Sequence, residues 1–286
     1  MSVADAFDPK TYWRGRVRAD ATVGVVGHRS LGTAYNEFIY RRRVDVLNGV
    51  LLEQNLVPDR DSILDIGCGS GFYARFWQAK GFETYLGIDV SGAAVARLKA
   101  EIPGYSFLEA DISERLDSSI ARQRYSVITV FDVFYHIVDD SRFRVALRNI
   151  RDYLAPNGVL IVFDHLTEKD YALRKHVKFR GETKYRNMLM QAGLEIVERQ
   201  RLFCFLVAPV FGRKAVDVPV AGLYKAMGIF MTAVPMLGRL LGRSLYEFDQ
   251  LARKINIQTP NNEVLLIRHC ENASHVDASP ASVDYV

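Results

Sequence analysis

The sequence is poor in cysteine and has no long apolar run. Its three cysteines, Cys68, Cys204 and Cys270, are odd in number and lack the spacing of metal ligands, so neither a disulfide framework nor a zinc site is indicated. No stretch reaches the roughly 18 consecutive apolar residues of a membrane-spanning helix, and the N-terminus has no apolar signal region. Together with the low cysteine content, this favours a protein of the reducing cytoplasm.

The sequence also has little excess charge. Its 37 lysines and arginines stand against 33 aspartates and glutamates, and the net charge of +4 is too small to indicate a nucleic-acid partner. We expect the densest basic run, Arg41, Arg42 and Arg43, to lie on a solvated helix face. A chain of 286 residues that is 49% hydrophobic can bury one large core, so we expect one domain with additions rather than two independent domains.

A short apolar run that opens into alternating glycines is the most informative stretch. Gly67, Gly69 and Gly71 follow the apolar residues 62–66. Glycine at these positions lets the backbone adopt positive φ angles and lets a ligand lie directly on the main chain. Residues 72–79 then have the pattern of a helix. A strand, a glycine loop and a helix in this order indicate the first unit of a nucleotide-binding α/β sheet.

The spacing of the glycines argues against a dinucleotide ligand. The dinucleotide fingerprint, G-x-G-x-x-G, requires a glycine where this chain has Phe72. Asp65, two residues before Gly67, would repel a pyrophosphate but attract an ammonium group. Asp89 lies near the end of the next apolar run, 84–90, where a carboxylate can accept hydrogen bonds from both hydroxyls of a ribose. The pattern therefore favours a ligand with a ribose, a cationic amino-acid end and no phosphate.

These residues resemble the glycine motif of the class I S-adenosylmethionine (SAM)-dependent methyltransferases. The resemblance covers roughly residues 60–165 and includes the acidic-apolar pair Asp111-Ile112, the segment 131–136 after the fourth strand, and residues 154–158 before the fifth. It implies SAM as the cofactor and S-adenosylhomocysteine as its product. The residues that the resemblance assigns to the cofactor are Asp65, Gly67, Cys68, Gly69, Gly71, Asp89, Val90, Asp111, Ile112 and Phe131.

The resemblance also implies the fold. We expect a doubly wound α/β domain with a mostly parallel seven-stranded sheet in the order 3-2-1-4-5-7-6 and helices on both faces. The predicted strands are 62–66, 84–90, 105–109, 125–131, 159–163, 194–207 and 262–269, and the predicted helices are 45–54, 72–79, 141–154, 182–192 and one that begins after an N-cap at Ser91. The domain is expected to span 46–269, with a disordered tail at 270–286.

Residues 1–45 precede the sheet and carry many aromatic and basic side chains. In the resembled family such a segment often lies across the cofactor as a lid, so we expect a helical lid here and assign Tyr12, Tyr35 and Tyr40 to acceptor binding. The alternative is that aromatic residues such as Trp13, Tyr35 and Tyr40 anchor the extension to the core. The two interpretations are compatible.

An insert, 209–258, separates the last two predicted strands. From 220 to 255 it has the pattern of two apolar or amphipathic helices divided at Pro235. Methionine-rich apolar surface adapts to varied ligands, and the lysines and arginines among these residues suit a lipid-facing surface. Three interpretations stay open: a cap over a hydrophobic substrate, a peripheral contact with a membrane surface, and the interface of a homodimer.

Methyl transfer from a sulfonium is an in-line displacement, so the protein mainly aligns the acceptor, the methyl group and the sulfur, and no metal is expected. A hydroxyl acceptor must also lose its proton to a base. His136, after the fourth strand, is the first candidate for this base, although it could instead hydrogen-bond the loop backbone, and His165, after the fifth strand, is the second. Tyr135 is expected near the acceptor, and His176 with Arg180 is a candidate pair for binding a carboxylate, a phosphate or sugar hydroxyls.

We therefore expect a methyltransferase that acts on a hydroxyl oxygen of a small or amphipathic molecule, such as a natural product, a glycolipid or an isoprenoid-like compound. Carbon or nitrogen methylation is the alternative among enzymes. A catalytically silent SAM-fold protein that binds partners is the alternative from another class, and the intact glycine motif with Asp89 argues against it. Residues 131–134 lack an Asn/Asp-Pro-Pro-Tyr-type motif, which also disfavours a nucleic-acid substrate.

Overall fold

The computed structural model describes residues 31–114 and 123–270. The expectations for Tyr12, for the rest of 1–30 and for the tail 271–286 lie outside these residues. The strands are β1 Ile63–Ile66, β2 Tyr85–Asp89, β3 Ser106–Glu109, β4 Tyr125–Phe131, β5 Leu154–Asp164, β6 Tyr171–Arg174, β7 Val177–Phe179, β8 Leu194–Arg201 and β9 Glu263–His269. The helices are α1 Thr33–Glu53, α2 Phe72–Ala79, α3 Gly92–Glu101, α4 Asp140–Tyr153, α5 Glu182–Gln191, α6 Lys214–Ala233 and α7 Pro235–Lys254.

Seven of these strands form one sheet in the order β3-β2-β1-β4-β5-β9-β8. Strands β1 to β5 pair in parallel, and β9 lies antiparallel between β5 and β8. Because β8 and β9 are the sixth and seventh strands of the sheet along the chain, the predicted order 3-2-1-4-5-7-6 is confirmed. The parallel strands bring their carboxyl ends to one edge, where loops gather and ligands bind in sheets of this type.

The boundaries of some strands differ from the prediction. β5 begins at Leu154 instead of 159, and β8 ends at Arg201 instead of 207. β6 and β7 pair with each other as a separate hairpin, in a region where we predicted no strand. Tyr171, Val177 and Phe179 form the small buried cluster of this hairpin, and their spacing in so short a stretch is too irregular to indicate strands.

Helices cover both faces of the sheet. The core on one face contains side chains of α1, α2, α3, α6 and α7, and the core on the other contains side chains of α4 and α5. The strands supply alternate residues to the two cores; Ile63 packs on the first side and Leu64 on the second. The expected doubly wound architecture is therefore present.

The first helix is longer than predicted, and this changes the role of two arginines. α1 begins at Thr33 instead of Asp45. The prediction that the arginine run is solvated is wrong for Arg42 and Arg43, which are 2% and 5% exposed. Both lie three or four residues from Ile39 and from the buried stretch that begins at Val46, so the helical spacing turns them toward the core.

The insert folds as the two predicted helices, with Pro235 as the first residue of α7. α7 packs along α1, where Gly242 lies against the ring of Phe38. Its buried Asp249 accepts hydrogen bonds from the backbone N–H groups of Cys204 (2.9 Å) and Leu206 (3.0 Å). These contacts fix the insert on the N-terminal helix and on the loop after β8. Within the described residues, no helix is long and apolar enough to cross a membrane.

Candidate functional site

The glycine loop between β1 and α2 has the backbone that its sequence predicts. Gly67 and Gly71 have φ angles of 79° and 76°, in the left-handed region that favours glycine. A Cβ atom at Gly67 would lie 2.4 Å from Cγ2 of Val133, and one at Gly71 would lie 2.3 Å from Cδ2 of Leu98. The loop therefore has no room for side chains, and Gly67 packs directly against the segment that follows β4.

Asp89, the last residue of β2, is tied to this loop. Its Oδ2 accepts a hydrogen bond from the backbone N–H of Gly69 at 2.9 Å, and its Oδ1 accepts one from that of Ser91 at 2.8 Å. Burial raises the pKa of Asp89, and the two N–H donors act in the opposite direction. The carboxylate thus lies beside the glycine loop, as its predicted role in binding a ribose requires. Val90 follows it and is half-buried.

Asp65 and Cys68 are enclosed in the protein. Asp65 is 1% exposed, and its two carboxylate oxygens accept hydrogen bonds from the hydroxyls of Thr129 and Tyr85, each at 2.7 Å. Burial raises the pKa of Asp65 to about 6. Because Tyr85 and Thr129 belong to β2 and β4, this side chain braces three neighbouring strands, and any attraction for a ligand's ammonium would act at a distance. Burial also raises the pKa of the Cys68 thiol.

The acidic-apolar pair after β3 is held by its neighbours. Asp111 accepts a hydrogen bond from the backbone N–H of Ser113 at 2.8 Å and forms an ion pair with Arg142 at 2.7 Å. Ile112 is buried in the core that contains α4. The carboxylate of Asp111 therefore ties the loop after β3 to the first turn of α4, and contact of this pair with an adenine ring stays a prediction.

A charged cluster that the sequence did not reveal lies at the end of β4. Asp132 has a φ angle of 60°, which is uncommon outside glycine. Its carboxylate pairs with Arg43 of α1 and accepts a hydrogen bond from Nδ2 of Asn262 at 3.3 Å. Arg43 also donates to the hydroxyl of Tyr73 at 2.8 Å, and burial together with the charge of Asp132 raises the pKa of Tyr135. Residues from four separate parts of the chain thus meet at one point.

Aromatic rings surround this cluster. Phe131 lies with its ring centroid 4.4 Å from that of Tyr73 and 4.2 Å from that of Phe163. The guanidinium of Arg43 lies 5.6 Å from the ring centroid of Tyr40, which itself packs on Phe72 at the start of α2. The carboxyl edge of the sheet therefore combines a buried cation with an apolar wall beside the glycine loop.

His136 ends a short 3₁₀ turn, Phe134–His136, just after this cluster. Its Nδ1 lies 2.7 Å from the backbone carbonyl oxygen of His176, in the turn between β6 and β7. A carbonyl oxygen can only accept, so Nδ1 carries the proton, and in the neutral ring Nε2 carries the lone pair. This contact is the kind of hydrogen bond to a loop backbone that a structural role of His136 predicts. It also fixes the tautomer that a general base needs.

Three predicted site residues have structural roles instead. His165 is 1% exposed, its Nε2 lies 3.0 Å from the carbonyl oxygen of Val210, and burial lowers its pKa to about 4, so the expectation that it acts as a base is wrong. Arg180 is buried and donates to the Asp140 carboxylate (3.0 Å) and the Ile137 carbonyl (2.6 Å). It braces the loop after β4 and does not present its guanidinium to a substrate.

The third of these residues is Tyr35. It is buried, and its hydroxyl donates to the carbonyl oxygen of Leu206 at 2.8 Å. The anchoring alternative is therefore correct for Tyr35, and its assignment to acceptor binding is wrong. Tyr40 and Tyr135 lie at the carboxyl edge, and His176 lies beside His136 with ring centroids 5.9 Å apart.

The buried carboxyl group of Asp164, the last residue of β5, makes the stability of the folded protein depend on pH. It is fully enclosed, and burial raises the pKa of its carboxyl to about 7. The native state therefore keeps a proton that the unfolded chain loses near pH 4, so the free energy of unfolding falls as pH rises from about 4 to 7. Asp65, with its pKa near 6, acts in the same direction.

We expect the substitution Asp164→Asn to remove about 2–3 kcal/mol of the difference in unfolding free energy between pH 5 and pH 8. Urea denaturation at the two pH values measures this difference. Asp152→Asn, at an exposed carboxylate, serves as the control and should leave the difference unchanged. An Asp164→Asn variant with the same pH dependence as the parent would show that Asp164 is ionised in the native state throughout this range.

Comparisons with known proteins place the chain in a family. Residues 35–199 match a family model described as a methyltransferase domain. A search of curated protein sequences found no match.

Solved structures share the fold at low sequence identity. A putative sarcosine dimethylglycine methyltransferase from Galdieria sulphuraria superposes with a TM-score of 0.52 and 15% identity, covering 80% of this chain and 84% of its own. A SAM-dependent methyltransferase from Clostridium acetobutylicum gives 0.51 and 12%, covering 81% and 92%. The O-methyltransferase of a trans-AT polyketide synthase multienzyme from Brevibacillus brevis, in complex with S-adenosyl-L-homocysteine, gives 0.50 and 13%, covering 77% and 71%.

Proposed function

The chain belongs to the class I SAM-dependent methyltransferases, and from this premise we propose that it transfers the methyl group of SAM to a hydroxyl oxygen of a small or amphipathic acceptor. SAM is the cofactor of this family, and its sulfonium supplies an electrophilic methyl group when it is bound. The residues of this chain must hold the two reactants and take up the proton of the acceptor.

The residues at the carboxyl edge suit SAM. The side chains of Val133 and Leu98 fill the positions that a Cβ atom would take at Gly67 and Gly71, so packing and the positive φ angles together hold this loop as a tight glycine turn. Asp89 adjoins the loop, and each of its oxygens, which accepts one N–H in this structure, has further lone-pair capacity for a ribose hydroxyl. A buried negative charge at Asp65 behind the loop would favour a cationic ligand.

The observation that carries the proposal is the position and tautomer of His136. Its turn begins next to Val133, whose side chain lies directly against Gly67 of the glycine loop. The hydrogen bond from Nδ1 to the carbonyl of His176 orients the ring and leaves the lone pair on Nε2. A neutral imidazole in the turn that follows Val133 would be suited to take the proton of a hydroxyl group during its attack on the methyl group.

The walls of the site favour an acceptor with an apolar part. Phe72 and Tyr73 are half-buried at the start of α2 and pack edge to face, and the buried rings of Phe131 and Phe163 lie behind Tyr73. Aromatic surface binds apolar groups, while a few polar groups orient the reacting atom. A phenol or a hydroxylated lipid-like molecule combines these two features.

Transfer of labelled methyl from SAM into fractionated lipid, saccharide and small-metabolite extracts tests the proposal. We expect the label to enter an apolar or amphipathic fraction and to lie on an ether oxygen. Label on an amine nitrogen or on carbon would replace the oxygen assignment. Absence of SAM and S-adenosylhomocysteine binding in calorimetry would overturn the enzymatic function altogether.

A further inference from the structure

The outer side of α6 is apolar even though it lies at the surface. Val216, Leu223 and Phe230 recur every seven residues, so they share one side of the helix. All three are exposed, Phe230 by 65%, and so is Ile229 beside it. We name the exposed apolar side chains of the two insert helices and their cap residues the insert surface; they are Val216, Val218, Leu223, Ile229, Phe230, Val234, Met236, Leu240, Phe248, Leu251 and Ile255.

This orientation is set by a neighbouring side of the helix, about 100° around its axis, which is used in folding. Asp217 is buried and accepts hydrogen bonds from the backbone N–H groups of Phe211 (2.7 Å) and Arg213 (2.9 Å). Tyr224 donates its hydroxyl proton to the carbonyl oxygen of Phe205 at 2.7 Å, and Met231 is in the core. α6 therefore cannot turn its outer side inward without breaking these contacts.

Positive charges accompany the insert surface. On the exposed side of α7, Met236 and Leu240 lie among Arg239 and Arg243, and Leu251 lies near Lys254. α6 adds Lys214 and Lys225. Of the three acidic residues on these two helices, Asp217 and Asp249 are buried, so Glu247 alone is an exposed anion of α6 and α7.

We propose that the insert surface binds the surface of an anionic lipid membrane. Apolar side chains interleaved with lysine and arginine are the pattern by which interfacial helices enter the boundary between headgroups and acyl chains. The contact is peripheral, in agreement with the absence of a membrane-crossing helix among the described residues. This inference concerns a surface outside the candidate site and does not depend on the identity of the acceptor.

The charge pattern favours lipid over a second copy of the chain. A twofold dimer through this face would bring the same patch of both copies together. Arg239 and Arg243 of one copy would then face the lysines and arginines of the other, and Glu247 is the exposed residue of opposite charge on these two helices. Like charges in an interface are costly. An anionic headgroup layer compensates every cation of the surface, and its acyl chains receive the apolar side chains.

Sedimentation of the full chain with vesicles tests the proposal. We expect binding to vesicles of phosphatidylcholine and phosphatidylglycerol in equal parts, and binding at least about tenfold weaker to phosphatidylcholine alone. The double variant Ile229→Ser with Phe230→Ser should reduce binding to the anionic vesicles about tenfold or more, because it removes apolar groups that enter the membrane. Arg239→Glu with Arg243→Glu should reduce it by a similar factor and weaken its dependence on salt.

The matched control is Leu52→Ser with Met190→Ser, which removes two apolar side chains that are 79% and 65% exposed outside the insert. It should change vesicle binding less than about twofold. Circular dichroism of each variant verifies that the fold is retained, as expected for side chains at the surface. Failure of the parent to bind anionic vesicles, or an equal loss in the control, would overturn the proposal. A dimer that only Ile229→Ser with Phe230→Ser dissociates, without vesicle binding, would assign the surface to a homodimer instead.

Discussion

Replacing His136 by alanine is expected to lower turnover about a hundredfold or more while SAM affinity stays nearly unchanged. The physical reason is that the variant loses the Nε2 lone pair that would accept the acceptor proton, whereas the glycine loop and Asp89 keep their contacts. Methyl transfer to the acceptor fraction that takes up label measures turnover, and calorimetry measures SAM affinity. If His136 is the base, turnover falls while SAM affinity stays; if His136 is purely structural, turnover stays near that of the parent.

The substitution His136→Gln separates the two roles of this side chain. Its amide N–H can still donate to the carbonyl of His176, but an amide has no basic nitrogen. We therefore expect His136→Gln to be as slow as His136→Ala. His176→Ala keeps the backbone carbonyl that His136 uses, so it should reduce turnover less. Near-normal turnover of His136→Gln would make His136 a residue that only positions the loop.

Replacing Asp89 by alanine is expected to weaken SAM binding by about a hundredfold. The carboxylate supplies the predicted contacts to the ribose hydroxyls, and charge-assisted hydrogen bonds of this kind contribute about 1.5–3 kcal/mol each. The same side chain holds the N–H groups of Gly69 and Ser91, so its loss also removes the brace of the glycine loop. Calorimetric titration with SAM and with S-adenosylhomocysteine measures the effect.

Two further variants define the origin of this loss. Asp89→Asn keeps one acceptor oxygen and similar volume, so it should bind SAM with an affinity between those of the parent and Asp89→Ala. Asp59→Ala removes an exposed carboxylate before β1 and should leave the affinity unchanged. If Asp89→Ala binds SAM as tightly as the parent, Asp89 does not contact the ribose.

The parts of the protein that the sequence predicted well depend on local patterns. The positive φ angles at Gly67 and Gly71 follow from a motif a few residues long, because the absence of a side chain acts on the backbone at the same position. The N-cap at Ser91 was predicted in the same way, and its side chain accepts a hydrogen bond from the N–H of Ala94. The strand order followed from the resemblance to a family, in which the last strand enters antiparallel between its two neighbours.

The errors concern buried polar side chains. Arg43 stands in a run of three arginines, which locally indicates solvent, yet it lies inside the protein on Asp132. Its helical spacing from the buried Ile39 and Val46 is a signal of burial, but this signal can be read only once the helix is known to begin at Thr33. Arg180 resembled an anion-binding residue because the sequence does not show that Asp140 and a loop carbonyl already take its donors.

The sequence alone therefore determined the glycine loop, the acidic residue beside it and the two helices of the insert, because each rests on spacing within one segment. Only the tertiary structure decided which polar residues face the site. Asp132, Arg43 and Asn262 come from distant segments, and their meeting depends on how β4, α1 and the start of β9 pack. A buried charge is stable only where such partners converge, and no single stretch of sequence contains that information.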